Sequence, residues 1–136
     1  MKVIMAMDDR IQYWLDLSNY DLDTAKAMLE TKRYLYVGFM CHQTIEKALK
    51  ALIALKCAQD ELPPKSHNLL RLSDISGINA KMTSEQSLVL DTLNPLNIEA
   101  RYPDYKDFLV AKLTNDYCKN LLKETEELLC WIKQQL

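Results

Sequence analysis

Glycine and proline are scarce in this chain of 136 residues, which contains two glycines and four prolines. Because these residues interrupt helices and form turns, their scarcity predicts long elements with few breaks. Alternating apolar and polar runs are also missing, as are the Asn-Gly and Asp-Gly pairs typical of tight hairpins. The sequence therefore argues against a sheet-rich fold and predicts long helices.

Paired cysteines and long apolar runs are missing as well. The four cysteines form no CxxC pair, which predicts reduced core thiols rather than disulfides or a zinc site. No apolar run approaches the roughly 18 residues of a membrane span, and "MKVIMAM" is too short for the apolar region of a signal peptide. We therefore expect a cytoplasmic protein without a metal or cofactor.

Charge of one sign is not in large excess, since the formal net charge is −2. No basic field covers the whole molecule, so any contact with nucleic acid has to use a local patch. With 49% hydrophobic residues, the chain can bury a core of its own. Residues 1–136 are therefore expected to form a single domain.

Three long segments carry apolar residues at three- and four-residue spacing, which is typical of helices with one buried face. The first is predicted to begin at an N-cap formed by Asp8 or Asp9. The second is predicted to run from about 34 to 59, where "ELPPKS" ends it. The last is predicted to follow "NIEARYPDYKDF" as one long helix, with Val110 and Leu113 on its buried face.

Two shorter helices are predicted between them. Ser66 can cap the first of these, and Gly77 can end it with a left-handed residue. Thr83 and Gln86 have the spacing of a capping box for the second. The sequence therefore predicts an all-α fold, an up-and-down antiparallel bundle of four to five helices.

A polar row of His42, Glu46 and Lys50 runs at four-residue spacing along one flank of the second helix. In one interpretation, Glu46 and Lys50 form a surface ion pair and His42 is incidental. In the other, the row lines a cleft where Lys50 and the adjacent Lys47 meet phosphate and His42 donates hydrogen bonds. Ile53, beside these polar groups, suggests that the flank also packs on a neighbouring subunit.

The stretch "EARYPDYKDF" also concentrates polar chemistry. Pro103 restricts Tyr102 to an extended backbone, and Asp104 can cap the next helix. Arg101 would then lie just ahead of a helix N-terminus, a position that attracts anions, and Tyr102 offers a face for a base to stack on. Alternatively, Arg101 pairs with Glu99 or Asp104, and Tyr102 and Tyr105 pack between helices.

Four stretches together resemble the HEPN (higher eukaryote and prokaryote nucleotide-binding) domain family: "YDLDTAKAMLETKRY", "YVGFMCHQTIEKALKALIALK", "SHNLLRL" and "ARYPDY". The resemblance implies an all-helical bundle that commonly dimerises, with a cleft between the two copies. It also implies a small nucleotidyltransferase as partner, in a toxin–antitoxin-like system. Many active members are metal-independent ribonucleases.

The nuclease motif of this family is an arginine followed by a histidine after four to six intervening residues. Arg101 matches the arginine, but Lys106, Asp107 and Phe108 occupy the positions where the histidine would stand. Acid–base chemistry on a ribose hydroxyl near neutral pH needs a group such as imidazole. We therefore predict no catalytic residue, unless His42 or His67 replaces the missing histidine.

The leading hypothesis is a homodimeric, non-catalytic protein that binds a nucleotide or RNA and acts with a small nucleotidyltransferase. One alternative is a metal-independent ribonuclease that uses Arg101 with a displaced histidine. Another is a purely structural dimerisation module, in which the polar row forms the seam. The predicted ligand-binding residues are Arg101 for phosphate, Tyr102 for stacking, Lys47 and Lys50 for charge, and His42 with Glu46 for orientation.

Overall fold

A computed structural model describes residues 2–57, 61–97 and 103–136, with side chains described over 9–57, 61–97 and 106–136. These ranges contain helices and no strand, so the all-α prediction is confirmed. Two short 3-10 turns, Ile78–Lys81 and Asn94–Leu96, flank the fourth helix. The α-helices are α1 (Lys2–Glu30), α2 (Tyr34–Lys56), α3 (Leu69–Ser76), α4 (Ser84–Leu93), α5 (Pro103–Lys112) and α6 (Asn115–Gln134).

The helices α1 and α2 form a tight hairpin. At the end of α1, the Arg33 N–H donates to the Met28 carbonyl (2.7 Å) and the Lys32 N–H to that of Leu29 (3.1 Å). This is the Schellman pattern of helix ends, and Lys32 occupies its left-handed position with φ of 62°. The chain therefore reverses direction within three residues and lays α2 along α1.

The helix α2 is the centre of the fold and packs on α1, α3 and α6. Fourteen of its 23 residues are buried, so several of its polar side chains also lie in the interior. The helix α6 runs antiparallel to α1, because Lys26 pairs with Glu126 while Asn19 accepts a hydrogen bond from Lys133. The largest fully buried apolar side chains are Ile45, Leu49, Leu69, Leu72, Leu93, Leu109, Leu113, Leu129 and Ile132.

The predicted signals around α3 and α4 are largely confirmed. The Thr83 hydroxyl accepts from the Gln86 N–H (3.2 Å), and the Gln86 side chain accepts from the Thr83 N–H (2.9 Å). Gly77 ends α3 with φ of 79°. The predicted cap at Ser66 is wrong, because Asn68 is the N-cap and accepts from the N–H groups of the first helical turn.

The predicted boundaries of the first two helices differ from the structure. The helix α1 begins at Lys2, well before Asp8 and Asp9, because no proline or glycine stops the helix-forming residues ahead of them. The helix α2 ends at Lys56, where Cys57 adopts an extended backbone. Gln59, the predicted end, lies outside the described residues.

The prediction of one long final helix is wrong. Thr114 interrupts it, because its side chain accepts a hydrogen bond from the Tyr117 N–H and caps a new helix, α6. Leu113 is buried as predicted, but Val110 on α5 is exposed. Because α5 begins at Pro103, Asp104 lies within its first turn rather than at its cap.

The cysteines fall into two groups. Cys41 and Cys118 are buried, as predicted, and burial raises the thiol pKa to about 12 and about 11, respectively. Both are therefore protonated core residues. Cys57 is half-buried and Cys130 is exposed, so the core prediction is wrong for Cys130. None of the helices in the described ranges has the length and apolar character needed to cross a membrane.

Candidate functional site

The polar row on α2 lies in the interior of the chain. The exposed fractions are 0% for His42, 2% for Glu46 and 6% for Lys50. Periodicity places the row on a flank, but Trp14 of α1 and His67, which precedes α3, cover that flank. The predicted ion pair of Glu46 and Lys50 is confirmed, with Nζ 3.1 Å from Oε2, but the interpretation of the row as a solvated surface is wrong.

Glu46 is the centre of this buried network. Its Oε1 atom accepts a hydrogen bond from Nδ1 of His67 (2.9 Å), and its Oε2 atom accepts one from Nζ of Lys50 (3.1 Å). The Lys50 ammonium also lies 5.5 Å from the ring centroid of Trp14, within cation–π range. Both oxygens of the buried carboxylate thus have donors, and its charge faces a buried cation.

The contacts of His42 define its tautomer. Its Nε2 atom lies 3.0 Å from the carbonyl oxygen of His67, so this nitrogen carries the proton. Its Nδ1 atom then accepts from the side-chain amide of Gln43 (3.2 Å). The Nδ1 atom also lies 3.8 Å from Oε1 of Glu46, but without a proton it donates no hydrogen bond there. Burial lowers the pKa of His42 to about 4, so the ring is neutral near pH 7.

The network continues from Gln43 towards α1. The Gln43 carbonyl oxygen accepts from Nζ of Lys47 (3.0 Å), and the same ammonium donates to Oδ2 of Asp21 (3.0 Å). The side chains of Lys47 and Asp21 are 18% and 13% exposed, so this pair is the edge of the network nearest to solvent on the α1 side. The Ser18 hydroxyl also donates to the buried Thr44 carbonyl (2.7 Å), which holds the two helices together.

His67 is the exposed end of the same network. Its side chain is 58% exposed, although Glu46 holds its Nδ1 atom and its carbonyl accepts from His42. Its Nε2 atom makes no hydrogen bond to any residue that the structure describes. The imidazole is therefore fixed on one side and open on the other.

Four of the six predicted ligand-binding residues come together here, namely His42, Glu46, Lys47 and Lys50. Each already contacts a neighbour in its own chain, and Lys47 and Lys50 each donate to a carboxylate. Arg101 and Tyr102 lie outside the described residues. Direct contact of any of the six with a ligand stays a prediction.

The argument from Ile53 to a neighbouring subunit is wrong. Ile53 is 4% exposed and packs in the core of its own chain, so its burial requires no second subunit. The homodimer itself stays a prediction.

Sequence reasoning missed Trp14 and Asp21 and did not connect His67 with Glu46. These contacts join residues that are far apart in the chain, and no spacing in the sequence links them. The available signal was "SHNLL", which placed a histidine just before a helix. Among the described side chains, no three His, Cys, Asp or Glu residues are grouped so that they could hold a metal ion.

These contacts define a class of protein, namely an all-helical domain with a buried polar network on its second helix. The family model of the HEPN domain matches residues 11–135, so the chain belongs to the HEPN domain family. Among solved structures it is similar to the crystal structure of TT1696 from Thermus thermophilus, with a TM-score of 0.77 and 20% identity. That similarity covers 93% of this chain and 98% of the other, and it supports the fold alone. No curated protein sequence matches the chain.

Proposed function

We propose that this protein binds a nucleotide or RNA without cleaving it, as a homodimer that acts with a small nucleotidyltransferase in a toxin–antitoxin-like system. The observation that carries the proposal is the pair of Glu46 and His67, in which a buried carboxylate holds an exposed imidazole at 2.9 Å. A ring held in this way offers its Nε2 atom to a phosphate or ribose hydroxyl with little further loss of conformational freedom.

In this proposal the residues of the network have different roles. His67 contacts the ligand, while Glu46 and Lys50 fix the orientation of its ring and His42 holds its backbone. Arg101 binds phosphate through its fork of N–H groups, and Tyr102 stacks against a base. Lys47 lies at the partly exposed edge of the network. Its contribution of positive charge is reduced because Asp21 pairs with its ammonium.

The test is the thermal stability of the purified protein with a panel of nucleotides and short RNAs. A ligand that binds only the folded state, at a hundredfold excess over its Kd, adds about 2.7 kcal/mol to the unfolding free energy. We expect this stabilisation in wild type, its loss in Arg101→Ala and its reduction in His67→Ala. Lys65→Ala, which removes an exposed charge two residues from His67, is the matched control and should respond as wild type.

Two results would reject the site. If no ligand stabilises wild type, nucleotide binding is excluded for the panel used. If a ligand stabilises wild type and both variants equally, binding occurs elsewhere. For the partner, a small nucleotidyltransferase encoded beside this chain is expected to co-purify with it after co-expression.

The same pair of residues supports a second candidate, a metal-independent ribonuclease. The exposed Nε2 atom of His67 would take the proton of a 2′-hydroxyl, and Glu46 would stabilise the resulting imidazolium. His42 is less suited because its ring is fully buried and both nitrogens are engaged. Cleavage of single-stranded RNA in EDTA, lost in His67→Ala and retained in His42→Gln, would support it; intact RNA at high protein concentration would exclude it.

A further inference from the structure

A groove with basic and aromatic walls lies where the α1–α2 turn meets the C-terminal end of α5. Its volume is about 270 Å³. Lys32 and Arg33 supply charge, Tyr34 and Tyr36 supply aromatic rings, and Val110 and Leu113 form the apolar side. It lies apart from the network around Glu46 and shares no residue with it.

Lys32 has a backbone conformation that favours glycine. It holds the left-handed position at the end of α1, with φ of 62°. Gly77 holds the same position at the end of α3, with φ of 79°, and glycine adopts this conformation without a steric penalty. A lysine at such a site carries backbone strain that glycine would avoid, while its charge suits the negative end of the α1 dipole.

The charges at the groove are not neutralised within the described part of the chain. Neither Lys32 nor Arg33 forms an ion pair there, and neither does Glu30 on the preceding turn of α1. In contrast, Lys47 and Lys50 each have a carboxylate within 3.1 Å. Counted together with Glu30, the two cations leave a local excess of one positive charge at this turn, in a chain whose net charge is −2.

Exposed aromatic surface lies beside these cations. Tyr36 is 49% exposed at the groove. The groove volume of about 270 Å³ is close to the lower end of the roughly 300–1,000 Å³ of ordinary small-molecule sites, so the groove has room for a single base. Aromatic rings beside lysine and arginine are the usual means of binding single strands, through stacking and phosphate contacts.

We propose that this groove binds single-stranded nucleic acid, with Lys32 and Arg33 against phosphates and a base stacked on Tyr36. The site is additional to the one proposed at His67. The helix α5 begins directly after Arg101 and Tyr102, and its ten residues span about 15 Å. A strand of a few nucleotides can therefore reach from the N-terminal end of α5 to the groove.

The test is fluorescence anisotropy with a labelled single-stranded RNA of ten nucleotides, titrated at several salt concentrations. Lys32→Gly should raise the thermal midpoint, because glycine suits the left-handed turn, yet weaken RNA binding. It should also reduce the slope of log affinity against log salt by about 0.7, the value for one lost phosphate contact on a single strand. Tyr36→Ala should lower affinity by about fivefold or more.

The matched control is Lys123→Ala, which removes one exposed lysine from α6. We expect it to keep wild-type affinity and salt dependence. Weaker RNA binding in a variant with a higher thermal midpoint cannot be explained by damage to the fold. Lys32→Gly therefore separates an effect on binding from an effect on stability.

The proposal is overturned if wild type does not bind the RNA, or if Lys32→Gly keeps both affinity and slope. It is also overturned if the groove binds poly-glutamate as tightly as RNA, with no contribution from Tyr36. If Lys32→Gly behaves as wild type while Arg101→Ala and His67→Ala lose ligand stabilisation, the groove proposal fails and the proposed function stands. If Lys32→Gly loses RNA affinity while Arg101→Ala and His67→Ala keep ligand stabilisation, the site at His67 is rejected and the groove proposal stands.

Discussion

The Nδ1 atom of His67 lies 2.9 Å from Oε1 of Glu46, so an exposed imidazole is held by a carboxylate in the protein interior. Lys50 donates to the other oxygen of that carboxylate. Glu46 therefore joins the surface of the molecule to its core, and its removal should affect both.

Replacing Glu46 tests the energetic role of the network. Glu46→Ala leaves the buried ammonium of Lys50 without its carboxylate, and breaking a buried pair in this way costs about 3–5 kcal/mol. We expect a loss of that order in urea unfolding. The double variant Glu46→Leu/Lys50→Met, which buries no charge, should be more stable than Glu46→Ala alone.

A surface ion pair provides the control for this measurement. The Nζ atom of Lys26 lies 3.0 Å from Oε2 of Glu126, but both side chains are nearly half exposed. Removing Glu126 should therefore cost at most about 1 kcal/mol. Equal losses for Glu46→Ala and Glu126→Ala would contradict the stabilising role of the buried network.

The stability of the protein should fall as the pH is lowered through the range set by His42. Burial lowers its pKa from 6.5 to about 4 in the folded state, so the unfolded chain takes up the proton first. This contribution to stability is fully present above pH 6.5 and is lost towards about pH 4. The size of the shift corresponds to about 3 kcal/mol, to be followed by urea unfolding across that range.

Carboxylates also titrate under acidic conditions, so the pH profile needs a matched variant. His42→Gln keeps an amide N–H near the position of Nε2 but cannot take up a proton. We expect its stability to fall less steeply than that of wild type between pH 6.5 and 4. Parallel profiles would show that His42 does not cause the loss.

Thr114 should contribute measurably to the start of α6. Its side chain accepts from the Tyr117 N–H, and losing such an N-cap typically costs about 1 kcal/mol. Thr114→Ala should lower the midpoint of urea unfolding accordingly. Thr92→Ala is the control, because the Thr92 hydroxyl donates to the Leu88 carbonyl within α4, and this change should be close to neutral. A larger loss in the control would refute the capping role.

Gly38 should tolerate alanine but not leucine. A Cβ atom at this position would lie 3.2 Å from a methyl group of Leu113 and 3.4 Å from one of Leu96. In Gly38→Ala, the gain in helix propensity of about 1 kcal/mol should offset a small shift of Leu113. Gly38→Leu overpacks the contact and should cost about 1–3 kcal/mol. Ala27→Leu, on the exposed face of α1, should change the unfolding free energy by less than about 0.5 kcal/mol.

Local signals in the sequence predicted much of the fold. The capping box of Thr83 with Gln86 and the left-handed end at Gly77 depend on hydrogen bonds between residues three or four positions apart, and both are confirmed. The break at Thr114 was missed because it depends on one hydroxyl within a continuing apolar pattern. No glutamate or glutamine at position 117 completes a capping box there.

The candidate site was less predictable than the fold, for a physical reason. Periodicity predicts which face of α2 carries Glu46. It does not predict which other parts of the chain pack against that face. Trp14, which contacts Lys50, and His67, which contacts Glu46, come from segments 32 residues before Glu46 and 21 residues after it. The spacing therefore predicts the polar row, whereas its burial follows only from the folded structure.

His42 and His67 touch through a main-chain carbonyl, yet they place different demands on the chain. Position 42 needs a neutral side chain that donates one hydrogen bond, accepts another and fills a ring-sized space, and an amide side chain can meet that requirement. Position 67 needs a ring that binds a carboxylate on one edge and faces water on the other. Over evolutionary time, relatives with this network should therefore exchange residue 42 for other neutral donors more freely than they exchange the histidine at 67.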